Sequence, residues 1–145
     1  MIFLRSTLFN ILFYALTAAG CTLALPALLF PRGAALWVLV TYQKILFLVE
    51  HSVMGIHLEV RGRENIPAQG SYLVAAKHQS PYETMKLHLV FPNNPSVVLK
   101  KELMEFPLWG WYAARIGMIP IDRSAKSEAM KSLIRGAHLA IAEGR

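Results

Sequence analysis

His78 and Glu83 stand with four residues between them in the run Lys77-His78-Gln79-Ser80-Pro81-Tyr82-Glu83. An imidazole backed by a carboxylate suits general-base chemistry, because the acid holds the ring in one tautomer and stabilises the imidazolium that forms. Local signals predict where the two could meet. The apolar run Tyr72–Ala76 reads as a short buried strand. Ser80 followed by Pro81 reads as a helix N-cap with proline at the first helical position. His78 then falls on a strand-to-helix turn and Glu83 in the first turn of the helix. A plainer reading competes: Ser80-Pro81-Tyr82-Glu83 is also a capping box, in which the glutamate reaches back to the cap backbone.

A second group is Gly117-Met118-Ile119-Pro120-Ile121-Asp122-Arg123. A glycine, a short apolar strand and an adjacent acid and base form a turn that could present Arg123 to an anion, since arginine grips phosphate with a planar fork. The alternative is a strand exit carrying a solvated ion pair. Lys100 and Lys101 also end an expected strand, and either could point at the same place. No Gly-x-Ser-x-Gly elbow is present, so Ser80 is expected to be a cap rather than a nucleophile. His51, His57, His88 and His138 have no partner motif and are read as structural.

These residues need elements to position them. At 145 residues the chain has room for one domain and an anchor. It is 54% hydrophobic with a net charge of +6, which points to membrane contact and an anionic partner. The basic-aromatic interleaving of single-strand binders is missing, so no nucleic-acid partner is expected. A single cysteine, Cys21, excludes an intrachain disulfide and a cysteine metal cluster.

Ser6–Phe30 carries no charged side chain and is long enough to cross a bilayer, with Pro26 a possible kink. Ala34–Ile56 is also apolar but contains Gln43, Lys44, Glu50 and His51, which argues against a second span. Three readings stay open for residues 1–56: a helical hairpin dipping into one leaflet, one span plus an interfacial helix, or a cleaved signal around Ala18-Ala19-Gly20-Cys21. The last is disfavoured because the sequence stays apolar after Cys21. From His57 the pattern predicts an alternating strand at Ile56–Gly62, the strand Tyr72–Ala76 and a helix from Pro81 to about Val90. A strand at Ser96–Lys100 and a helical turn at Lys101–Phe106 come next. A helix from Pro107 to Ile116 is closed by Gly117, and a strand follows at Met118–Ile121. Last comes a helix capped by Ser124 with its body at Ala125–Glu143. Strands alternating with helices indicate an α/β fold over residues 57–145.

Taken in order, KHQSPYE, KKELMEFPLWGW and GMIPIDR resemble the three successive blocks of the PlsC-type 1-acylglycerol-3-phosphate (lysophosphatidic acid) acyltransferases. The resemblance is close over about residues 57–123 and loose over the apolar start. Its histidine-x4-acid motif falls on His78 and Glu83. Its second block falls on Lys100, Glu102-Leu103, Pro107 and Gly110, and its next on Gly117, Ile121, Asp122 and Arg123. Aspartate is commoner than glutamate as the acid, and asparagine is common where Lys77 stands. The later Pro-Glu-Gly-Thr-Arg motif is absent. Glu143-Gly144-Arg145 is similar to the turn before it, so the chain is expected to be truncated there and to turn over little by itself.

The resemblance implies a glycerolipid acyltransferase-like sheet flanked by helices, preceded by a membrane-associated hairpin. It implies acyl transfer from a thioester, carried by acyl-carrier protein or coenzyme A, to the sn-2 hydroxyl of lysophosphatidic acid, making phosphatidic acid. His78 would be the base, Glu83 its orienting acid, and Arg123 with Lys100 the phosphate ligands, with no metal and no further cofactor. The setting would be the lipid bilayer, at the cytoplasmic face of the cell membrane. A sibling enzyme for another lyso-lipid, such as lyso-ornithine lipid, and a non-catalytic membrane adaptor of the same fold are the alternatives.

Overall fold

The structure, a computed structural model, describes residues 2–145. It divides into two compact units, Met1–Arg61 and Gly62–Arg145.

The first unit is helical. Helix α1 (Ile2–Leu23) is followed by a 3-10 turn at Leu25–Leu29, and helix α2 (Arg32–Val49) continues into a π turn at Glu50–Met54. Pro26 ends regular helix because it lacks an amide hydrogen and crowds the preceding turn. Gly55 closes the second arm in the left-handed region, at φ +70°. The arms meet as a hairpin, with the Thr17 hydroxyl 2.8 Å from the Tyr42 hydroxyl. No residue of α1 is buried, and Ile2, Phe3 and Leu4 are 71–81% exposed. In α2 the buried residues include Gln43, and Glu50 just beyond the helix is buried too. Polar groups turned inward and apolar ones outward invert the arrangement of a water-soluble hairpin. This also removes part of the objection to a second span: two of the residues that make Ala34–Ile56 look too polar do not face outward. Both Ile2–Leu23 and Arg32–Met54 are long and apolar enough to cross a membrane by length and composition. The 22 residues of α1 rise about 33 Å at helical pitch, against a hydrocarbon core of about 30 Å.

The second unit is built on a crossover. Strand β1 (Val98–Lys100) leads through a 3-10 turn at Lys101–Glu105 and helix α5 (Trp109–Ile116) to strand β2 (Ile119–Ile121). Between the units' start and β1 lie two single-turn helices, α3 (Pro81–Thr84) and α4 (Leu87–Val90). The strands are parallel, with Val98 opposite Ile119 and Lys100 opposite Ile121, and a parallel pair requires such a crossover. Gly117 ends α5 at φ +76°. Helix α6 (Ser127–Ala142) packs on β2. The approach is close enough that a Cβ on Gly136 would lie 2.7 Å from the Ile119 side chain. Val97, Ala113, Ile116, Ile119 and Ala140 are buried in this unit.

Four expectations need correcting. Ile56–Gly62 and Tyr72–Ala76 are not strands. Their patterns are strand-like, but among the described residues only β1 and β2 pair, and a strand exists only with a ladder partner. Leu73 is accordingly 91% exposed rather than buried. The helix expected from Pro81 to Val90 is broken into α3 and α4 by a turn at Met85–Lys86. Ser124 does not cap the last helix: its amide and hydroxyl bind Asp122, which caps a 3-10 turn at Arg123–Ala125 instead.

Gly110 shows what the second sequence block demands. A Cβ there would fall 1.9 Å from the Met104 carbonyl oxygen, a backbone atom that cannot rotate away. Gly110→Ala is expected to lower stability by about 1–3 kcal/mol or more through overpacking, seen as a lower Tm. An unchanged Tm would show that α5 shifts freely against the preceding turn.

Candidate active site

The turn before α3 gathers its polar groups onto one carboxylate. His78 Nδ1 lies 2.6 Å from Glu83 Oε1. The Gln79 amide donates to the same oxygen at 2.9 Å. The Ser80 amide donates to Oε2 at 3.1 Å, and the Ser80 hydroxyl donates to it at 3.2 Å. Ser80 is in turn the N-cap, accepting the Tyr82 amide at 3.2 Å, and the full capping box is present. The two arrangements coexist: the glutamate that closes the helix cap also contacts the histidine.

Partial desolvation acts to raise the Glu83 pKa. The bonds from its own amide, His78, Gln79 and Ser80 outweigh it, and the carboxyl lies below its ordinary value. An ionised carboxylate only accepts, so Nδ1 must carry the proton it shares with Glu83. Neutral His78 then keeps its lone pair on Nε2, the tautomer a general base needs.

The cationic group forms at the strand ends. Parallel register places Lys100 opposite Ile121, so Lys100 and the 3-10 turn carrying Arg123 leave the sheet at its carboxyl end. Ligands of open parallel sheets collect at that end. Asp122 accepts the Ser124 hydroxyl at 2.5 Å and the Ser124 amide at 3.0 Å, and these bonds, with Lys101 nearby, hold its carboxyl below the ordinary value. Lys101 Nζ lies 3.9 Å from Asp122 Oδ2. Of the two adjacent lysines, Lys101 thus faces an acid on its own chain, while Lys100 and Arg123 form no ion pair among the described residues and are exposed. His78, Glu83, Lys100 and Arg123 all line one cavity of about 670 Å³, with an apolar wall that includes Leu73, Leu87, Leu103 and Leu133. The remaining sequence-marked positions, Gly117, Ile121 and Asp122, shape this end of the unit without lining the cavity.

Arg145, which the sequence places only in a turn, also lines the cavity. Its guanidinium binds the Ser96 hydroxyl and the carbonyl of Gly117, and its side chain is 9% exposed. It ties the end of α6 to the entry side of both strands, away from Arg123. The Gln79 and Ser80 amide donors are likewise invisible to residue type, being backbone groups. The capping box is the signal for them, and it belongs to the pairing instead of competing with it.

The low carboxyl pKa values predict an acid-sensitive fold. Both groups bind protons more weakly folded than unfolded, so their stabilisation is full above the ordinary values of 4.5 for Glu83 and 3.8 for Asp122. It is lost as pH falls through the depressed folded values. Denaturation followed from neutral pH to pH about 3 should show stability falling with acid, and Glu83→Gln should flatten that slope. An identical slope in the variant would mean the cap bonds do not persist in solution.

Residues 57–145 match the Acyltransferase family. A 1-acyl-sn-glycerol-3-phosphate acyltransferase of Pseudomonas aeruginosa is 45% identical over 83 residues, covering 57% of this chain and 32% of the relative. The Saccharomyces cerevisiae protein of that name is 36% identical over 84 residues, covering 58% and 27%. The mouse alpha form is 30% identical over 87 residues, covering 60% and 30%. The chain spans about a third of the length of these curated relatives. No solved structure matches it significantly. With the match extending over the whole segment that holds His78, Glu83, Lys100 and Arg123, the chain belongs to the Acyltransferase family.

Proposed function

We propose that the protein transfers an acyl group from a thioester to the sn-2 hydroxyl of 1-acylglycerol-3-phosphate, producing phosphatidic acid for phospholipid synthesis. The observation that carries this is the His78–Glu83 contact of 2.6 Å in a cavity that also holds Lys100 and Arg123. The names of the relatives support the same reaction.

His78 Nε2 takes the hydroxyl proton as the oxygen attacks the thioester carbonyl. The tetrahedral adduct collapses with cleavage of the carbon–sulfur bond. The same nitrogen returns the proton to the departing sulfur, leaving an ester and a free thiol. Glu83 stabilises the imidazolium between the two transfers. Arg123 and Lys100 receive the phosphate, and a phosphate bound there fixes which hydroxyl meets the base. The Ser80 proton is directed at Glu83, so direct transfer without an acyl-serine is the consistent route. The apolar hairpin holds the chain at a bilayer, where acceptor and product both reside, with the catalytic unit on the cytoplasmic face that supplies the thioester (acyl-carrier protein or coenzyme A).

The test is to supply the full-length protein, in detergent or vesicles, with a labelled acyl thioester and competing lyso-lipids. Phosphatidic acid should be the main product. Preferential acylation of lyso-ornithine lipid would replace the acceptor. Absence of any acylated product from protein that melts cooperatively would remove the enzymatic reading in favour of an adaptor.

A further inference from the structure

We propose that Ser80 is a positioning residue of the active site, acting through Glu83 on the orientation of His78; this rests on the acyl-transfer reading above. A hydroxyl offers one proton and two lone pairs. Here the lone-pair side accepts the backbone at the start of α3, including the Tyr82 amide at 3.2 Å, and the proton goes to Glu83 Oε2 at 3.2 Å. The hydroxyl thus joins the helix start to the carboxylate.

The two oxygens of Glu83 divide their work. Oε1 receives His78 Nδ1 at 2.6 Å and the Gln79 amide at 2.9 Å. Oε2 receives the Ser80 hydroxyl and is the nearer oxygen to the forked Ser80 amide, at 3.1 Å against 3.4 Å for Oε1. Holding Oε2 fixes the carboxylate plane and leaves Oε1 turned to the imidazole. Glutamate is rotamer-rich and gains freedom when a tie is removed. The His78 side chain is 69% exposed, so packing does little to hold the ring, and among the described residues Glu83 is the hydrogen-bond partner that orients it. Removing the Ser80 hydroxyl should therefore blur the direction of Nε2 without touching the phosphate ligands. The consequence falls on kcat and spares the KM for the acceptor.

A double-mutant cycle in the full-length protein separates this role from simple helix capping. Ser80→Ala should lower kcat roughly tenfold, the scale of one hydrogen bond to a charged group, with the acceptor KM unchanged. Ser80→Thr, which keeps the hydroxyl, should restore most of the loss. Ser80→Gly guards against unfolding, since glycine is a tolerated cap; its kcat should fall as in the alanine variant while Tm holds. In a Glu83→Gln background, Ser80→Ala should change kcat by less than about twofold, because the group it acts through is already altered. Equal losses in both backgrounds, tracking a lower Tm, would reduce Ser80 to a cap and overturn the proposal. Wild-type kcat in Ser80→Ala, with His78→Ala inactive, would overturn it while leaving acyl transfer intact. Full turnover in His78→Ala would overturn both.

Discussion

His78→Ala should lower kcat of the full-length protein by roughly 10²–10⁴-fold, the usual contribution of a positioned general base, with little change in the acceptor KM or in Tm. The stability expectation follows from exposure: the His78 side chain is 69% accessible and packs little, so its loss leaves no cavity. The KM expectation follows from position, since the phosphate ligands proposed above are Lys100 and Arg123 at the strand ends. Glu83→Gln is informative alongside it. The amide keeps an acceptor oxygen for the cap but can offer a hydrogen to Nδ1. That would move the ring proton to Nε2 and take away the base, so kcat should fall by about 10²-fold or more. A folded His78→Ala protein with unchanged kcat would exclude proton transfer by this residue.

Arg123→Ala should raise the KM for the phosphate acceptor roughly 10- to 100-fold while leaving kcat within a few-fold. This is the scale expected for losing charge-assisted, forked hydrogen bonds to an anion. Arg123→Lys should recover only part of the affinity, because a point charge cannot reproduce the fork. Lys100→Ala should act in the same direction with a smaller effect. Lys101→Ala should act least, since that ammonium faces Asp122 at 3.9 Å. The measurement is steady-state kinetics with the acceptor varied, beside binding of a phosphate-free analogue as control. An Arg123→Ala protein with wild-type KM would place the phosphate elsewhere.

These two expectations concern groups far apart in the chain, and the sequence treats them unequally. The His78–Glu83 pairing is a local matter. Ser80, Pro81 and Glu83 are the residues a helix start requires, and their spacing brings the carboxylate back over the turn that carries His78. The Gly117 turn is equally local: a left-handed residue must end α5 before β2 can begin. The lengths of α1 and α2 follow from an apolar run with few charges.

Elements that depend on a distant partner were not legible in the same way. Tyr72–Ala76 has the composition of a strand, but ladder pairing is a relation between two segments and a one-segment pattern does not specify it. The inward turn of Gln43 and Glu50 depends on how the hairpin arms face one another. The need for glycine at 110 and 136 depends on how near Met104 and Ile119 come.

Residue type and short spacing thus determined the candidate groups of this site: an imidazole and its carboxylate, joined by hydrogen bonds within five residues, and cations at the strand ends. Tertiary structure decided which of them share a cavity. Parallel pairing of β1 with β2 set Lys100 beside the exit that carries Arg123 and left Lys101 to Asp122. That choice rests on a ladder register between residues about twenty apart in sequence, which alternation in either strand alone cannot specify.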